Sequence, residues 1–287
     1  MKIADKWQDY QIILTSNGEK LEKWNKYYLL RPDPQIIWKS DQDLSKFVDL
    51  DAHYIRSSSG GGMWKMYHQI PDEWTINYKD LSFYIKPMGF KHTGLFPEQA
   101  YNWDLMRDLI KKANRPIKVL NLFAYTGGAS VACAKEGAHV THVDCVKQIV
   151  ERAKMNMQLN QIDETKVRYI IDDCKKFVER EIRRNNHYDA IIMDPPSFGR
   201  SGSKTVWKLE NDLFDFVKLC CQLLSDKPLF VLINSYTTGF SETVAENILR
   251  LNLKDKNGCF MSYEIGLPTK EGINLPCGSS SLFIGEE

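Results

Sequence analysis

The sequence predicts an α/β protein: a doubly wound sheet of seven strands ending in an antiparallel C-terminal hairpin, preceded by a small β-rich domain. Three observations predict it. From about Gln99 onward, apolar strand-like runs alternate with longer segments of helical periodicity, which is the pattern of a parallel sheet covered by helices on both faces. The last two strand-like runs have no helix between them and should pair antiparallel. The first eighty-odd residues have a different texture, with short β-like runs, turn residues and many Trp and Tyr.

Residues 1–85 form the expected small domain. It contains "EKWNKYYLLRPDPQIIW" and "LSFYIKP", short strands with turn signals, and "SSSGGG" from Ser57 to Gly62, read as a mobile loop. No helical pattern follows that loop at once, which argues against a phosphate-binding role. Trp24, Tyr27, Tyr28 and Trp38, interleaved with Lys and Arg, either build the core of this domain or stack on single-stranded bases.

Residues 86–287 carry the regular pattern. The helix "EQAYNWDLMRDLIKKA" leads to the strand "IKVLNLFAY", and a Gly-containing turn enters a helix through "GGASVACAKEGA". Then come the strand "HVTHVDC", the helix "KQIVERAKMNMQLNQ", the strand "KVRYIIDD" and the helix "CKKFVEREIRRN". The strand "YDAIIMD", the helix around "ENDLFDFVKLCCQLL" and the strand "PLFVLINSY" complete the alternation, and "CFMSYEIGLP" and "SSSLFIG" form the tail.

Composition narrows the function classes. With 43% hydrophobic and 26% charged residues among 287, the chain has the make-up of an ordinary globular protein able to bury a full core. Its longest apolar runs are strand-sized, so no membrane span is expected. The start "MKIADKWQDY" lacks a leader's apolar stretch, which points to a cytoplasmic location. The net charge of +1 leaves any RNA contact to a local patch. Seven cysteines, Cys133, Cys145, Cys174, Cys220, Cys221, Cys259 and Cys277, form no CxxC pair and read as reduced thiols. No His/Cys/Asp group has metal-ligand spacing, and no metal is expected.

In a doubly wound sheet, ligands bind beyond the carboxyl ends of the strands, near the point where strand order reverses. The first strand ends "NLFAYTGGAS", where Thr126, Gly127, Gly128 and Ala129 let backbone approach a ligand. Asp144 ends the second strand, seventeen residues after Gly127, where an acid can accept both ribose hydroxyls. Asp172 and Asp173 end the third, placed to read an adenine amino group. A nucleoside cofactor follows from the three in register. The turn reads A-Y-T-G-G-A and lacks the G-x-G-x-x-G spacing that seats a pyrophosphate. S-adenosyl-L-methionine has no phosphate and fits better. The stretch "GRSGSKT", Gly199 to Thr205, only imitates a phosphate loop: Phe198 and Ser203 occupy both required glycine positions, leaving a loop with a basic tip.

Together "NLFAYTGGAS", Asp144, "DD" and "DPPSF" resemble the class I S-adenosylmethionine-dependent methyltransferases, whose seven-stranded sheet is Rossmann-like. Upstream, "GFKHTGLFPEQAYNW" is similar to the stretch preceding the fold in bacterial large-subunit rRNA methyltransferases, which modify carbon 5 of cytosine or nitrogen 7 of guanine. "DPPSFGR" followed by "VWKLE" and "NSYTTG" is similar to little-characterised members of that group. The resemblance spans roughly Tyr84 to Phe283. It implies that Phe96 and Gln99 line the cofactor pocket and that Phe123, Ala124, Thr126 and Gly127 cradle the methionine end, with Asn121, Tyr125 and Gly128 beside them. Asp144 would take the ribose, with Cys145 next to it, and Asp173 the adenine, with Cys174 next to it. Asp194, Pro195, Pro196 and Ser197 would face the transferable methyl group, with Phe198 stacking on the substrate base.

Substrate chemistry separates the alternatives. Carbon 5 of cytosine is a poor nucleophile, so its enzymes attack carbon 6 with a cysteine thiolate placed after the fourth or fifth strand. Those places here read "DPPSF" and "NSYTTGF", with Ser197 and Ser235 and no thiol. A ring nitrogen needs only in-line positioning. An exocyclic amine would gain from acceptors at Asp194 and the Pro195 carbonyl, held rigid by the prolines. The expected function is therefore methylation of a nucleobase nitrogen in RNA, most of all rRNA. The alternatives are a protein or small-molecule methyltransferase, a cytosine-C5 enzyme, and a non-catalytic RNA-binding module.

Overall fold

The computed structural model describes residues 1–57, 61–200 and 206–286. Residues 58–60 of the expected mobile loop and 201–205 of the basic-tipped loop lie outside the described residues. The chain divides into two units, Met1–Ala100 with Gly266–Pro276, and Tyr101–Ile265 with Cys277–Glu287. The first unit thus runs past residue 85 and takes in a second, distant segment.

The first unit is built from β1 (Lys2–Ile3), β2 (Tyr10–Ser16), β3 (Glu19–Trp24), β4 (Tyr27–Pro32), β5 (Leu50–Arg56), β6 (Gly62–Met66), β7 (Trp74–Tyr78) and β8 (Leu81–Ile85). Strands β2 to β6 form one sheet in sequence order, antiparallel except for the parallel β4–β5 pair, and β7–β8 form a hairpin. Asn17 and Gly18, both at positive φ, close the β2–β3 turn as an Asn-Gly hairpin requires. The aromatic residues mostly serve packing. Trp24 is fully buried against Tyr10, which removes it from any stacking role, and Tyr27 packs edge-on against Trp74.

An ion pair lies in this core. Glu22 accepts two bonds from Arg31, at 2.5 Å from Nε and 2.8 Å from Nη2, and one from the Tyr10 hydroxyl at 2.6 Å. Arg31 also donates to the Lys91 carbonyl. Burial alone would raise the Glu22 pKa, but Arg31 and Lys20 outweigh it and hold the carboxyl down at about 2. Its contribution to stability is therefore present above the ordinary carboxylate range and is lost as pH falls toward 2. Glu22→Gln leaves the Arg31 charge buried without its counter-ion, and a loss of about 3–5 kcal/mol in denaturant unfolding is expected. A loss under about 1 kcal/mol would show the pair to be dispensable.

The second unit contains α1 (Ala100–Ala113), β9 (Lys118–Leu122), α2 (Gly128–Lys135), β10 (His139–Asp144), α3 (Lys147–Leu159), β11 (Val167–Ile171) and α4 (Cys174–Arg183). It continues through β12 (Ala190–Met193), β13 (Phe198–Arg200), β14 (Val206–Lys208), α5 (Leu209–Cys221), β15 (Phe230–Ser235), α6 (Glu242–Asn252), β16 (Gly258–Pro268) and β17 (Asn274–Gly285), of which residues 266–268 and 274–276 count with the first unit. The sheet order is β16-β17-β15-β12-β9-β10-β11, with β9, β10, β11, β12 and β15 parallel and β17 antiparallel to β15. This is the expected mixed α/β sheet with its reversed tail. One further strand, β1, borders β16, where Ala4 N–H donates to the Gly266 carbonyl within the first unit.

Sequence alternation places the core. Leu120, Leu122, Ile191, Met193, Val231 and Ile233 meet Phe177 and Val178 of α4, Leu213, Phe216 and Val217 of α5, and Leu249 of α6. Small residues let α2 bury five consecutive positions, Ser130 to Ala134. Strand order reverses beside β9: the chain goes outward through β10 and β11, then returns to β12 and β15 on the other side. The carboxyl ends of β9 and β12 flank that switch point, and Asp194 follows one of them directly.

Candidate active site

Strand β9 stops at Leu122, sooner than its apolar run suggests, because Phe123 and Tyr125 both adopt left-handed φ, 55° and 51°. The turn they make is pinned on its far side: Ala124 N–H donates to the Val143 carbonyl, and Tyr125 N–H to Asp144 Oδ2 at 3.0 Å. Gly127, at φ 87°, starts α2, and a Cβ there would come within 3.1 Å of the Ala153 Cβ. The helix has no side-chain N-cap, so its leading amides are suited to a ligand's carboxylate.

Beneath the turn lies a polar cluster. Asn156 donates to the Thr126 carbonyl at 2.9 Å, Asn121 donates to Ser130 Oγ at 2.8 Å, and Ser130 Oγ lies 3.0 Å from His142 Nδ1. Burial pushes the His142 pKa down to about 4, so the imidazole is neutral at physiological pH. Asn121 is 2% exposed and its amide serves this cluster, which makes it a support of the turn.

Asp144 is half-buried at the end of β10; its Oδ1 accepts the Val146 N–H at 3.0 Å, and burial raises its pKa. The two acids after β11 divide their work. Asp172 pairs with Arg180 and accepts the Asp173 N–H, whereas Asp173 caps α4 through the Lys176 N–H and keeps its other oxygen for further bonds. Cys174 accepts the Phe123 N–H at 3.3 Å, and burial raises its thiol pKa well above the ordinary value. Cys145 is exposed, and partial burial with the Asp144 charge raises its pKa too.

Strand β12 ends at Met193, and the chain leaves it through Asp194, Pro195 and Pro196. Pro195 is buried and Asp194 half-buried, while Phe198 is 55% exposed. Ser197 Oγ lies 2.6 Å from Thr237 Oγ1, and the Ser197 carbonyl accepts the Leu209 N–H. Phe198 then opens a short hairpin, β13 with β14, that sequence periodicity does not reveal.

A cavity of about 370 Å³ opens between these pieces. Of the residues singled out from sequence, Phe123, Asp144, Cys145, Asp173, Cys174 and Pro196 line it together. Val206, Trp207 and Phe216 add an apolar wall. Carboxylates at one margin and flat aromatic surface at another suit an adenosine group: hydroxyl donors for the acids and a purine ring for the wall. Asn121, Ala124, Tyr125, Thr126, Gly127, Gly128, Asp194, Pro195, Ser197 and Phe198 are not among its lining residues. Phe96 and Gln99 belong to the first unit, where the Gln99 N–H donates to the Phe96 carbonyl.

Trp207 and Thr237 are the site residues that sequence reasoning missed. Both sit inside motifs visible in the sequence, "VWKLE" and "NSYTTG", but their partners Pro196 and Ser197 lie far along the chain. No cluster of metal-ligating side chains occurs among the described residues, and no described helix is long and apolar enough to cross a membrane.

Comparison with known proteins agrees with this geometry. The family described as S-adenosylmethionine-dependent methyltransferase matches residues 33–248. A solved S-adenosylmethionine-dependent methyltransferase from Agrobacterium tumefaciens is 31% identical, with a TM-score of 0.93 over 99% of this chain and 93% of that one. The structure of SMU.776 in complex with SAH, at 18% identity and a TM-score of 0.78, shares the fold over 97% of this chain and 76% of its own. Among curated relatives, the ribosomal RNA large subunit methyltransferase K/L of Syntrophotalea carbinolica is 28% identical over 183 residues, 63% of this chain and 25% of that protein. The enzyme of the same name from Colwellia psychrerythraea is 30% identical over 58% of this chain and 22% of its own. The chain thus spans about a quarter of the length of these curated relatives. With the family matched over most of its length, a near-complete structural relative, and strand-end acids around an adenosine-sized cavity, the chain belongs to the S-adenosylmethionine-dependent methyltransferases.

Proposed function

We propose that the protein methylates a nucleobase nitrogen in RNA, with rRNA as the substrate, by direct in-line transfer without a cysteine adduct. The observation that carries this reading is the corner after β12, where Asp194 is followed by a rigid Pro-Pro pair and an exposed aromatic ring, with no thiol in the run. The names of curated relatives such as the ribosomal RNA large subunit methyltransferases K/L support the substrate class.

In this reading Asp144 accepts the ribose hydroxyls and Asp173 the adenine amino group, with Cys145 and Cys174 as neighbouring walls. The turn from Phe123 to Gly128 holds the methionine end. Bound S-adenosylmethionine supplies a methyl group on a positively charged sulfur. Asp194 and the Pro195 carbonyl accept hydrogen bonds from the target base, and Phe198 stacks on it, which also favours a base drawn out of paired RNA. The prolines fix these acceptors, so little reorganisation is needed when the methyl group moves.

The cysteines favour nitrogen over carbon. Cys174 and Cys220 are buried with strongly raised thiol pKa values, which keeps them protonated and unreactive. Cys277 is the thiol to test, because β17 pairs Ser279 with Ser235 and so carries Cys277 past the end of β15, at the ligand edge. The test compares rRNA nucleosides by mass spectrometry from cells lacking the gene and cells complemented with wild type or Cys277→Ala. One methylated nucleoside is expected to vanish in the deletion and to return fully with either gene. No change in any rRNA nucleoside would reject the substrate, and a mark restored by wild type alone would restore the thiolate mechanism.

A further inference from the structure

The Pro195-Pro196 pair raises a problem of anchorage. Neither residue has an N–H, so their stretch of backbone can be held only through its carbonyls and neighbouring side chains. One such hold is the indole of Trp207, whose Nε1–H donates to the Pro196 carbonyl at 2.6 Å, a short bond for this donor. The indole nitrogen is a donor only, so the carbonyl is the group it can satisfy.

The same ring reaches the cavity. Trp207 lies 5.8 Å, centroid to centroid, from Phe123 of the β9 turn and 5.5 Å, edge-on, from Phe216 of α5, and all three line the cavity. It is seated by the β13–β14 pairing, in which Gly199 stands opposite it. A Cβ at Gly199 would make ordinary contacts, 3.4 Å from the Pro196 Cγ and 3.8 Å from the Trp207 Cβ. Two further bonds fix the hairpin base, Leu209 N–H to the Ser197 carbonyl and Lys208 N–H to Asp212 Oδ2 at 2.7 Å.

We propose that Trp207 is a positioning residue that links the two halves of the site: its ring walls the adenosine cavity while its N–H holds the Asp194–Phe198 corner. The proposal rests on the site reading above, in which the cavity takes the adenosine group and the corner meets the base. A purine placed against the indole stacks on a ring whose orientation the Pro196 carbonyl already fixes. Occupancy of the cavity and order at the corner then depend on one side chain.

Substituting Trp207 separates its two functions. Trp207→Phe keeps an aromatic wall and loses the donor, whereas Trp207→Ala loses both. S-adenosylhomocysteine binding by calorimetry is expected to stay within about threefold in Trp207→Phe and to weaken about tenfold in Trp207→Ala, the size of a lost aromatic contact. The second readout needs no substrate. In protein labelled with nitrogen-15 at tryptophan, the indole resonance missing from Trp207→Phe is expected to exchange slowly with solvent and to shift on adding S-adenosylhomocysteine. With methyl transfer as the readout, Trp207→Phe should lower kcat about tenfold without raising the KM for S-adenosylmethionine, as expected for loss of one hydrogen bond. Fast exchange of that resonance with no ligand-induced shift overturns the proposal, and so does a Trp207→Ala variant that folds and binds like wild type. Failure of the wild type itself to bind S-adenosylhomocysteine would reject the site reading and the proposal together.

Discussion

Asp194→Ala is expected to lower methyl transfer by at least about a hundredfold while leaving affinity for S-adenosylmethionine within a few-fold. Asp194 is the first residue past β12 and is anchored at its backbone, where the N–H points at the Leu122 carbonyl at 3.4 Å. Its carboxylate is half-buried at the switch point of the sheet, beside a Pro-Pro pair that adds stiffness and no donors. In the proposed function, an acceptor held there would orient a target amine and receive its proton as nitrogen gains the methyl group. Groups in that role are worth roughly 10²–10⁴ in rate. If the target is a ring nitrogen, orientation alone remains, and misplacement by about an ångström still costs roughly 10². Asp194→Asn keeps a carbonyl acceptor and removes the base, so the two variants separate orientation from proton transfer. Radiolabelled methyl transfer to rRNA, paired with calorimetry, is the measurement. Full activity in Asp194→Ala would remove the role assigned to it.

The parts of this molecule that were legible in the sequence are those fixed by local pattern. The strand-end positions of Asp144 and Asp173 were legible because each closes an apolar run and precedes a helix, so position along the chain reveals position on the sheet edge. Strands β9, β10, β11, β12 and β15 were legible for the same reason, whereas the β13–β14 hairpin was not. Helix α6 was not: its Ser241 N-cap follows directly on a strand and a polar turn, and only Ala245 and Leu249 are buried. The end of β9 was misjudged because Phe123 and Tyr125 adopt left-handed backbone, which bulky residues rarely do and no composition signals. Trp207 and Thr237 act through partners 11 and 40 residues away, beyond the reach of periodicity. At Trp24 the local sequence leaves two readings open, core or base platform, and the structure settles it for the core, because its ring is sealed there.

Asp144→Ala is expected to weaken cofactor binding by about a hundredfold, because the carboxylate holds the turn and, in the proposed reading, also meets the ligand. Its two oxygens already accept the Tyr125 and Val146 N–H groups, leaving the remaining lone pairs for ribose hydroxyls. Alanine removes the ribose acceptors and also releases Tyr125, a residue at φ 51° that depends on such a bond. Hydrogen bonds to a charged group are worth about 1.5–3 kcal/mol each, so losing two ligand bonds accounts for that factor. The pH dependence carries an independent sign. Burial raises the Asp144 pKa, so in the free folded protein its stability contribution is fully present below the ordinary carboxylate range and is lost as pH rises through the raised value. Ligand hydroxyls donate to the ionised form and so pull the other way. Cofactor affinity should therefore fall as pH drops through the raised pKa, with proton release on binding, and Asp144→Asn should flatten that dependence while retaining part of the affinity. Calorimetry in buffers of different ionisation enthalpy measures both quantities. A pH-independent affinity in the wild type, or an unchanged Kd in Asp144→Ala, would place the ribose elsewhere and leave Asp144 only the task of holding the turn.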